Sequence, residues 1–251
     1  MDISVVIPAF DEEDSIRHTV EDIKQAFSAS GHANRFEIIV VDDASNDLTV
    51  ERIRGCPGVT ILINPERRGY GHALKTGIRS ASYDIIAITD GDGSYKVENV
   101  DLWIDTLKNN DLVIGKRHYL PNSTSKIRLW ARLLLNKIAC FWVRQKIGDV
   151  NSGLRFFRKS LVINNVHLFP SGFSFTSTST LVAIYSGLRI AYIPIQYHQR
   201  CGRSKMRAYH FFSILYTIIK VTYVFHPMRV LIVFASVLIF CGASLWGFLH
   251  V

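Results

Sequence analysis

The sequence predicts an α/β domain whose mainly parallel sheet is covered by helices on both faces. Two patterns support this fold class. Short apolar runs rich in β-branched residues alternate with segments of helical periodicity, and clusters of polar residues follow three of the runs. The chain has 251 residues, of which 48% are hydrophobic and 20% are charged. It is therefore long enough for one large domain with a full core, and its composition excludes a disordered protein.

The strands are predicted from apolar runs that are too short for helices. They lie at 3–7, 37–41, 59–63, 85–88 and 112–114. The periodicity between them predicts helices over about 13–29, 47–54, 70–82 and 97–108. Strands that alternate with helices form mainly parallel sheets, so ligands are expected at the carboxyl ends of the strands.

The polar clusters fall at these carboxyl ends, at 8–13, 42–46 and 90–95. In the third cluster, Asp90 and Asp92 project to the same side of an extended chain, where their charges repel each other. The Asp-Gly pairs alone would indicate a loop or a hairpin turn. A calcium loop of the EF-hand type would need glycine at its sixth position, where the chain has tyrosine. The neighbouring clusters favour a divalent cation that the two aspartates share with substrate phosphates.

Charge is divided unevenly along the chain. Residues 1–111 contain 20 acidic and 11 basic residues, a net charge of −9. Residues 112–251 contain 18 basic residues and one acid, Asp149, a net charge of +17. Because solubilising surfaces usually mix both signs, the second half predicts an anionic partner or an anionic membrane surface. The four cysteines lie far apart without metal-ligand spacing and fit a reducing, cytosolic setting.

Three apolar segments of the second half predict contact with a membrane. Residues 125–146 and 209–225 are rich in apolar side chains with basic but no acidic residues, as in interface helices, although core helices would look similar. Residues 230–251 contain no Asp, Glu, Lys or Arg and could cross a hydrocarbon core of roughly 30 Å. Because Lys220 and Arg229 precede this run and no Lys or Arg follows it, the positive-inside rule predicts a cytoplasmic catalytic domain. The chain opens on a strand rather than a secretory signal, and a longer protein could contain further spans.

Seven short motifs, in matching order, carry a resemblance to a known family. They are VVIPAFDEE at 5–13, VVDDAS at 40–45, RRGYGHALKTGI at 67–78, TDGDGS at 89–94, GKR at 115–117, SGLRFF at 152–157 and RCGRSK at 200–205. Together they resemble the family 2 glycosyltransferases with the GT-A fold, specifically the polyprenyl-phosphate glycosyltransferases such as dolichyl-phosphate mannose synthase and its bacterial undecaprenyl-phosphate relatives. The chain differs from the family in having Asp11 for a common asparagine, Lys96 for a usual proline, and serines and threonines at 173–181 where many members have a glutamate.

The resemblance implies a role for particular residues. It places the nucleoside at Pro8, Ala9, Glu12 and Gly91, with its base against Asp43, and it places Mg²⁺ or Mn²⁺ at Asp90 and Asp92. It also places a phosphate of the acceptor or the donor at Arg117, Arg132, Arg200, Ser204 and Lys205. Asp90, Asp92 and Arg117 are the predicted catalytic residues. The implied domains are a catalytic domain at 1–206, with a nucleotide and metal half at 1–111 and an acceptor half at 112–206, then an amphipathic juxtamembrane helix at 207–227 and a transmembrane helix at 228–251.

The implied reaction is the metal-dependent, inverting transfer of one sugar from a UDP- or GDP-sugar to a polyprenyl phosphate at the cytoplasmic face of a membrane. A phosphate acceptor is ionised near neutral pH and needs no general base, but it needs cations to approach an anionic donor. The basic second half would supply them. Nucleic acid is not an expected partner, because the positive charge lies in apolar segments rather than in a recognition motif. A single span with interface helices would allow copies of the chain to pack side by side as a homo-oligomer.

Two alternatives stay open. A transferase that acts on a lipid hydroxyl would need a general base, for which Asp149 is the available acid of the second half, although a turn or helix-cap role is its simpler interpretation. A catalytically silent membrane scaffold would keep the fold without the chemistry, which the presence of Asp90, Asp92 and Arg117 argues against.

Overall fold

The computed structural model describes residues 1–119, 126–198 and 209–249. The strands are β1 (Asp2–Ala9), β2 (Arg35–Asp42), β3 (Val59–Ile63), β4 (Ile85–Ile88), β5 (Leu112–Tyr119), β6 (Arg155–Arg158) and β7 (Ile190–Tyr197). The helices are α1 (Ile16–Ser28), α2 (Thr49–Ile53), α3 (Tyr70–Ser80), α4 (Val100–Lys108), α5 (Lys126–Val143), α6 (Ser160–Ile163), α7 (Phe175–Tyr185), α8 (Tyr209–Phe225) and α9 (Pro227–Leu249), with a 3-10 helix at Val166–Leu168 between α6 and α7. Each strand and helix predicted from the sequence is therefore present.

The strands form one sheet in the order β3-β2-β1-β4-β6-β5-β7. β1 is parallel to β2 and β4, β2 is parallel to β3, and β5 is parallel to β7. β6 is antiparallel to both of its neighbours, β4 and β5. The prediction of a mainly parallel α/β sheet is confirmed, whereas β6 and β7 were not predicted. β6 has only four residues, and β7 contains Pro194, which is tolerated because β7 lies at an edge of the sheet.

Two cores cover the two faces of the sheet, as expected for parallel strands. Alternate residues of β1 show the division: Ile3, Val5 and Ile7 pack in one core with apolar residues of α1 and α4. Val6 packs in the other core, which includes apolar residues of α3, α5, α7 and α8. α1 enters its core through residues spaced three or four apart, Ile16, Val20, Ile23 and Phe27 among them.

The sequence of α8 allowed either a buried core helix or a helix with an exposed apolar side, and the structure has both features. Ile214, Ile218 and Val221 are buried in the core. Other large apolar residues of this helix are exposed: Tyr209, Phe212, Tyr216, Tyr223 and Val224. α8 is therefore a core helix on one side and presents an apolar surface on the other.

The predicted transmembrane helix at 228–251 corresponds to α9, and residues 250–251 lie outside the described ranges. Among the helices of the described ranges, none has both the length and the hydropathy that crossing a membrane requires. The single span is therefore not confirmed. The domain limits given above also remain predictions.

Gly77 allows α3 to lie close to the sheet. A Cβ atom at this position would lie 2.4 Å from Cγ1 of Val6 in β1 and 3.0 Å from Cγ2 of Val41 in β2. Both distances are too short for carbon atoms, so a side chain here would push α3 away from the sheet.

We expect Gly77→Ala to destabilise the protein. Overpacking in a core costs about 1–3 kcal/mol, which outweighs the gain of up to about 1 kcal/mol from replacing glycine inside a helix. Thermal or urea unfolding measures the difference. Gly31→Ala is the matched control, because its Cβ would meet only Asp101 Oδ2 at an ordinary 3.9 Å. An unchanged or raised unfolding free energy for Gly77→Ala would contradict the close approach of α3.

Candidate active site

Three loops meet at the carboxyl edge of the sheet, as the sequence predicts. The backbone N–H of Asp43, after β2, donates to the carbonyl of Ala9 at the end of β1 (2.9 Å). The hydroxyl of Ser15, in the loop after β1, donates to the carbonyl of Gly91, after β4 (2.8 Å). A Cβ atom on Gly91 would lie 3.4 Å from the carbonyl oxygen of Pro8. The predicted nucleoside residues Pro8, Ala9 and Gly91 are thus neighbours at one edge.

The loops after β1 and β2 are fastened to each other by polar side chains. Asp11 donates its N–H to Ser45 Oγ and accepts the N–H of Asn46, both at 2.8 Å. Glu12 donates its N–H to Thr49 Oγ1 (2.7 Å). Asp11 has a φ of +49°, in the left-handed region that asparagine and aspartate tolerate better than other residues. This conformation explains why aspartate is accepted where the family usually has asparagine.

Asp43 is buried and organises the loop between β3 and α3. Its Oδ1 accepts hydrogen bonds from Asn64 Nδ2 (2.8 Å) and the N–H of Arg68 (3.0 Å), and its Oδ2 accepts one from the N–H of Gly69 (2.6 Å). The loop that it holds carries Arg67, whose guanidinium carbon lies 3.8 Å from the ring centre of Phe10. Asp43 therefore fixes a loop that reaches the predicted nucleoside residues. Sequence reasoning missed the Arg67–Phe10 pair, because the stacked residues are 57 positions apart.

Two neighbours hold Asp90 at the carboxyl edge of the sheet. Its Oδ1 accepts a hydrogen bond from the hydroxyl of Tyr70 at the start of α3 (2.8 Å). The backbone of Gly153 packs against its carboxylate, since a Cβ atom on Gly153 would lie 2.7 and 2.9 Å from the two carboxylate oxygens. Asp92 is buried and accepts the N–H of Ser94 (3.0 Å). The Asp-Gly pairs lie in a loop and not in a hairpin turn, because the chain continues into α4 and β4 does not pair with β5.

The residues around Asp90 and Asp92 fit a divalent cation that is also bound by a ligand outside the protein. Within the described ranges, no group of three or more His, Cys, Asp or Glu residues could hold a metal ion. Two carboxylates alone suit Mg²⁺, which commonly binds one or two protein carboxylates together with substrate phosphates and water. The buried hydroxyls of Thr89, Ser94 and Ser152, in the same two loops, have no hydrogen-bond partner among the described residues. Such groups favour a polar ligand nearby.

Arg117, near the end of β5, forms a bidentate ion pair with Asp149. The two contacts, Nε to Oδ2 and Nη2 to Oδ1, are both 2.7 Å long, and only 4% of the Arg117 side chain and 14% of the Asp149 side chain are exposed. Arg117 Nη1 also donates to the hydroxyl of Tyr95 at 3.4 Å. The guanidinium carbons of Arg117 and Arg132 lie 5.6 Å and 5.3 Å from the ring centre of Tyr197. The fold thus brings two predicted phosphate-binding arginines together, whereas Arg200, Ser204 and Lys205 lie outside the described residues.

Asp149 is a weak candidate for a general base. Burial raises the pKa of its carboxyl group, but the charge and hydrogen bonds of Arg117 outweigh burial, and the pKa lies below the ordinary aspartate value. Asp149 also accepts the N–H of Asn151 (3.1 Å), as expected from its turn interpretation. A carboxylate that is ionised and bound on both oxygens has little tendency to take a proton.

Arg155 is a buried cation that sequence reasoning did not assign. It donates to the carbonyls of Ser152 and Val150 and to the hydroxyls of Ser179 and Thr180 at 2.7–2.9 Å. Burial lowers its pKa to about 10. Ser179 and Thr180 belong to the serine- and threonine-rich segment at 173–181, where many family members have a glutamate. In this chain, that segment supplies neutral oxygens to a buried guanidinium.

The fold and the site define a GT-A-like enzyme. A mainly parallel α/β sheet carries paired aspartates at its carboxyl edge, and Tyr95 and Gly153 link Asp90 with Arg117 of the following half. The profile of the family described as glycosyl transferase family 2 matches residues 4–165, more than half of the chain. The chain therefore belongs to glycosyl transferase family 2. The predicted family, GT-A-like fold and enzyme class are confirmed, whereas the roles of individual residues remain predictions.

Curated relatives cover most of this chain. It is 28% identical over 228 residues to a dolichol-phosphate mannosyltransferase of Pyrococcus furiosus, an alignment that covers 86% of this chain but only 62% of that protein, less than two thirds. It is 28% identical over 223 residues to an undecaprenyl-phosphate mannosyltransferase of Micrococcus luteus, with 82% and 88% covered. Among solved structures, glucosyl-3-phosphoglycerate synthase of Mycobacterium tuberculosis in complex with Mn²⁺, UDP and phosphoglyceric acid has a TM-score of 0.66 at 21% identity, with 88% of this chain and 78% of that chain covered. This likeness shows a common fold.

We expect Gly153→Ala to reduce sugar transfer by about a hundredfold, because displacing a reactive group by 1 Å can have an effect of this size. The new methyl group would overlap the Asp90 carboxylate and move it. Transfer rates are compared at saturating donor, and circular dichroism confirms that the variant is folded. Gly31→Ala, remote from the site, is the control. Activity within about threefold of the wild type would show that the position of Asp90 is not critical.

Proposed function

We propose that this chain transfers one sugar, with inversion, from a UDP- or GDP-sugar to a polyprenyl phosphate at the cytoplasmic face of a membrane. The observation that carries the proposal is the ion pair between Arg117 and Asp149. Asp149 is the only acid of residues 112–251, and Arg117 occupies it. The acceptor half thus offers cations and no available carboxylate base, which suits an acceptor that is already ionised.

The reaction is a direct displacement. An oxygen of the acceptor phosphate attacks the anomeric carbon of the sugar, and the bond from that carbon to the donor diphosphate breaks. The electron pair of the broken bond leaves with the nucleoside diphosphate, so the configuration at carbon inverts. No proton has to be removed from the nucleophile. The residues of the site therefore act by binding, orientation and charge stabilisation.

The donor side is assigned to the first half of the chain. Asp90 and Asp92 would hold Mg²⁺ or Mn²⁺, which when bound stabilises the negative charge that develops on the leaving diphosphate. Tyr70 and Gly153 fix the orientation of Asp90. The nucleoside is assigned to the edge formed by Pro8, Ala9, Glu12 and Gly91. Asp43 acts there through the loop it holds. The Mycobacterium tuberculosis structures with Mn²⁺ or Mg²⁺ and UDP support a divalent metal for this fold.

The acceptor side is assigned to Arg117 and Arg132. Asp149 orients the guanidinium of Arg117 through two contacts of 2.7 Å, and an oriented guanidinium suits the recognition of a phosphate. The guanidinium of Arg132 lies at a similar distance from the centre of the Tyr197 ring, 5.3 Å compared with 5.6 Å for Arg117. Arg200, Ser204 and Lys205 complete the proposed phosphate site from a segment outside the described residues.

Contact with a membrane is part of the proposal. A lipid acceptor requires it, and three helices of the second half, α5, α8 and α9, expose large apolar side chains. These side chains are Ile127, Trp130, Leu133, Leu134 and Phe141 on α5, Tyr209, Phe212 and Tyr216 on α8, and Leu231, Ile232 and Phe234 on α9. Exposed apolar surface of this extent is typical of a membrane or protein interface. The excess of basic residues favours the anionic cytoplasmic leaflet. The names of the curated relatives support a polyprenyl phosphate as the lipid.

The direct test is a transfer assay in detergent. The protein is incubated with undecaprenyl or dolichyl phosphate, Mg²⁺ or Mn²⁺, and a panel of labelled UDP- and GDP-sugars, and label is counted after extraction into organic solvent. We expect a metal-dependent product that mild acid cleaves.

Asp92→Asn should abolish formation of this product, because the cation loses a ligand, and full activity of that variant would remove the metal assignment. Product formed only with hydroxyl lipids would overturn the phosphate acceptor, and no product with any acceptor would favour the silent scaffold.

Asp149→Asn separates the phosphate acceptor from the hydroxyl acceptor. If Asp149 orients Arg117, the variant should raise the KM for polyprenyl phosphate by about tenfold, as for loss of a charge-assisted contact. Its kcat should change little, and the pH profile should keep its shape. If Asp149 is a general base, kcat should fall by roughly a hundredfold or more and the acidic limb of the profile should disappear. Asp111→Asn is the control, because Asp111 pairs with Arg189 just before β5 and β7, at the end of these strands that is remote from Arg117.

A further inference from the structure

Tyr95 lies at the junction of the donor and acceptor sides. Its side chain is buried, and its ring packs edge-on against Tyr197, with 5.3 Å between the ring centres. Its hydroxyl oxygen accepts the N–H of Gly153 at 2.9 Å and the Nη1–H of Arg117 at 3.4 Å. The adjacent carbonyl of Ser94 accepts the N–H of His198 at 3.1 Å. One side chain thus joins the aspartate loop after β4, the end of β5 and the loop before β6.

These contacts link the donor side and the acceptor side of the site by two routes. Gly153 packs against the carboxylate of Asp90, and Tyr95 follows Asp90 in the same loop. In the other direction, the loop of Gly153 also contains Asp149, which holds Arg117 in its bidentate pair. The hydroxyl of Tyr95 spans the gap between Gly153 and Arg117. It therefore connects the group that would hold the donor's metal with the group that would hold the acceptor's phosphate.

Arg117 and Asp90 each have a support that does not involve Tyr95. Arg117 keeps both 2.7 Å contacts to Asp149 when the Tyr95 hydroxyl is removed, so its ability to bind a phosphate does not depend on Tyr95. Asp90 likewise keeps its hydrogen bond from Tyr70. What depends on Tyr95 is the position of one group relative to the other, because its hydroxyl contacts Arg117 and the loop that rests on Asp90.

We propose that Tyr95 is a positioning residue that sets the separation between the acceptor-phosphate arginine, Arg117, and the metal-binding carboxylate, Asp90. This inference rests on the proposed function. A displacement reaction requires the attacking oxygen and the anomeric carbon to lie about 3–3.5 Å apart. The enzyme must therefore hold its two anionic substrates in register as well as bind each of them. The buried, uncharged hydroxyl of Tyr95 suits this role, since burial raises the pKa of the phenol and keeps it neutral.

The test is Tyr95→Phe, which keeps the ring and removes the hydroxyl. We expect kcat for sugar transfer to fall by about 10- to 100-fold, the range expected for misplaced reacting groups. The separate dissociation constants for Mn²⁺ with UDP or GDP and for farnesyl phosphate, measured by calorimetry without turnover, should stay within about threefold of the wild type. A lower kcat with unchanged substrate binding contrasts with the result expected for Asp149→Asn, in which the KM for the acceptor should change.

Tyr185→Phe controls for the loss of a partly buried hydroxyl. Tyr185 hydrogen-bonds with Thr222 (2.8 Å) and Trp142 (3.3 Å) at the far end of α7. Both variants should lower the melting temperature by a few degrees, about 2–8 °C, but only Tyr95→Phe should lower kcat. An unchanged kcat, or weakened binding of either substrate alone as its main effect, would overturn the positioning role. If the wild type transfers sugar only to hydroxyl lipids, the proposed function fails, yet the same comparison can be made with that acceptor.

Discussion

The buried ion pair between Arg117 and Asp149 determines the layout of the acceptor side. Breaking such a pair leaves an uncompensated charge in a poorly hydrated place and costs about 3–5 kcal/mol, so the guanidinium is oriented before any ligand binds. From Arg117, contacts extend to the Tyr95 hydroxyl and to the ring of Tyr197, over which Arg132 also lies. The one acid in the second half of the chain thus serves to place a cation. This use of Asp149 favours the proposed phosphate acceptor over a hydroxyl acceptor, which would need a base.

The proposed reaction takes place between two anions, which would explain why the chain separates its charges so strongly. A nucleotide sugar and a lipid phosphate repel each other, and the paired aspartates add to that repulsion until a cation binds them. The acidic first half places its carboxylates at the end of β4 and anchors Asp90 through a neutral tyrosine, Tyr70. The basic second half meets the same edge at the end of β5 and at the start of β6, which lies between β4 and β5 and is antiparallel to both. Because β6 is the strand between the two halves, the loop before it contacts both Asp90 and Arg117.

The sequence was sufficient for the parts of the fold that follow a local period. The five predicted strands and the helices between them are present, and the clusters at their ends meet because parallel strands place their carboxyl ends on one edge. β6 was missed because four residues carry too little periodicity, and its place between β4 and β5 depends on contacts distant in sequence. The ion pair of Asp149 with Arg117 could not be predicted either, since the two residues are 32 positions apart. Pairings such as Tyr95 with Gly153 arise only from the tertiary fold.

Arg155 shows how one departure from the family pattern changes the electrostatics of the site. Its four hydrogen bonds go to neutral oxygens, two of them from the serines and threonines of α7. A guanidinium bound only to neutral groups keeps its positive field, which acts over several ångströms in a buried setting. The loop that Arg155 supports rests on the Asp90 carboxylate through Gly153. A glutamate in α7, as many family members have, would neutralise that field. The hydroxyls of α7 therefore leave the positive charge of Arg155 in place, and that charge acts on Asp149 and on the hydroxyl of Tyr70, which holds Asp90.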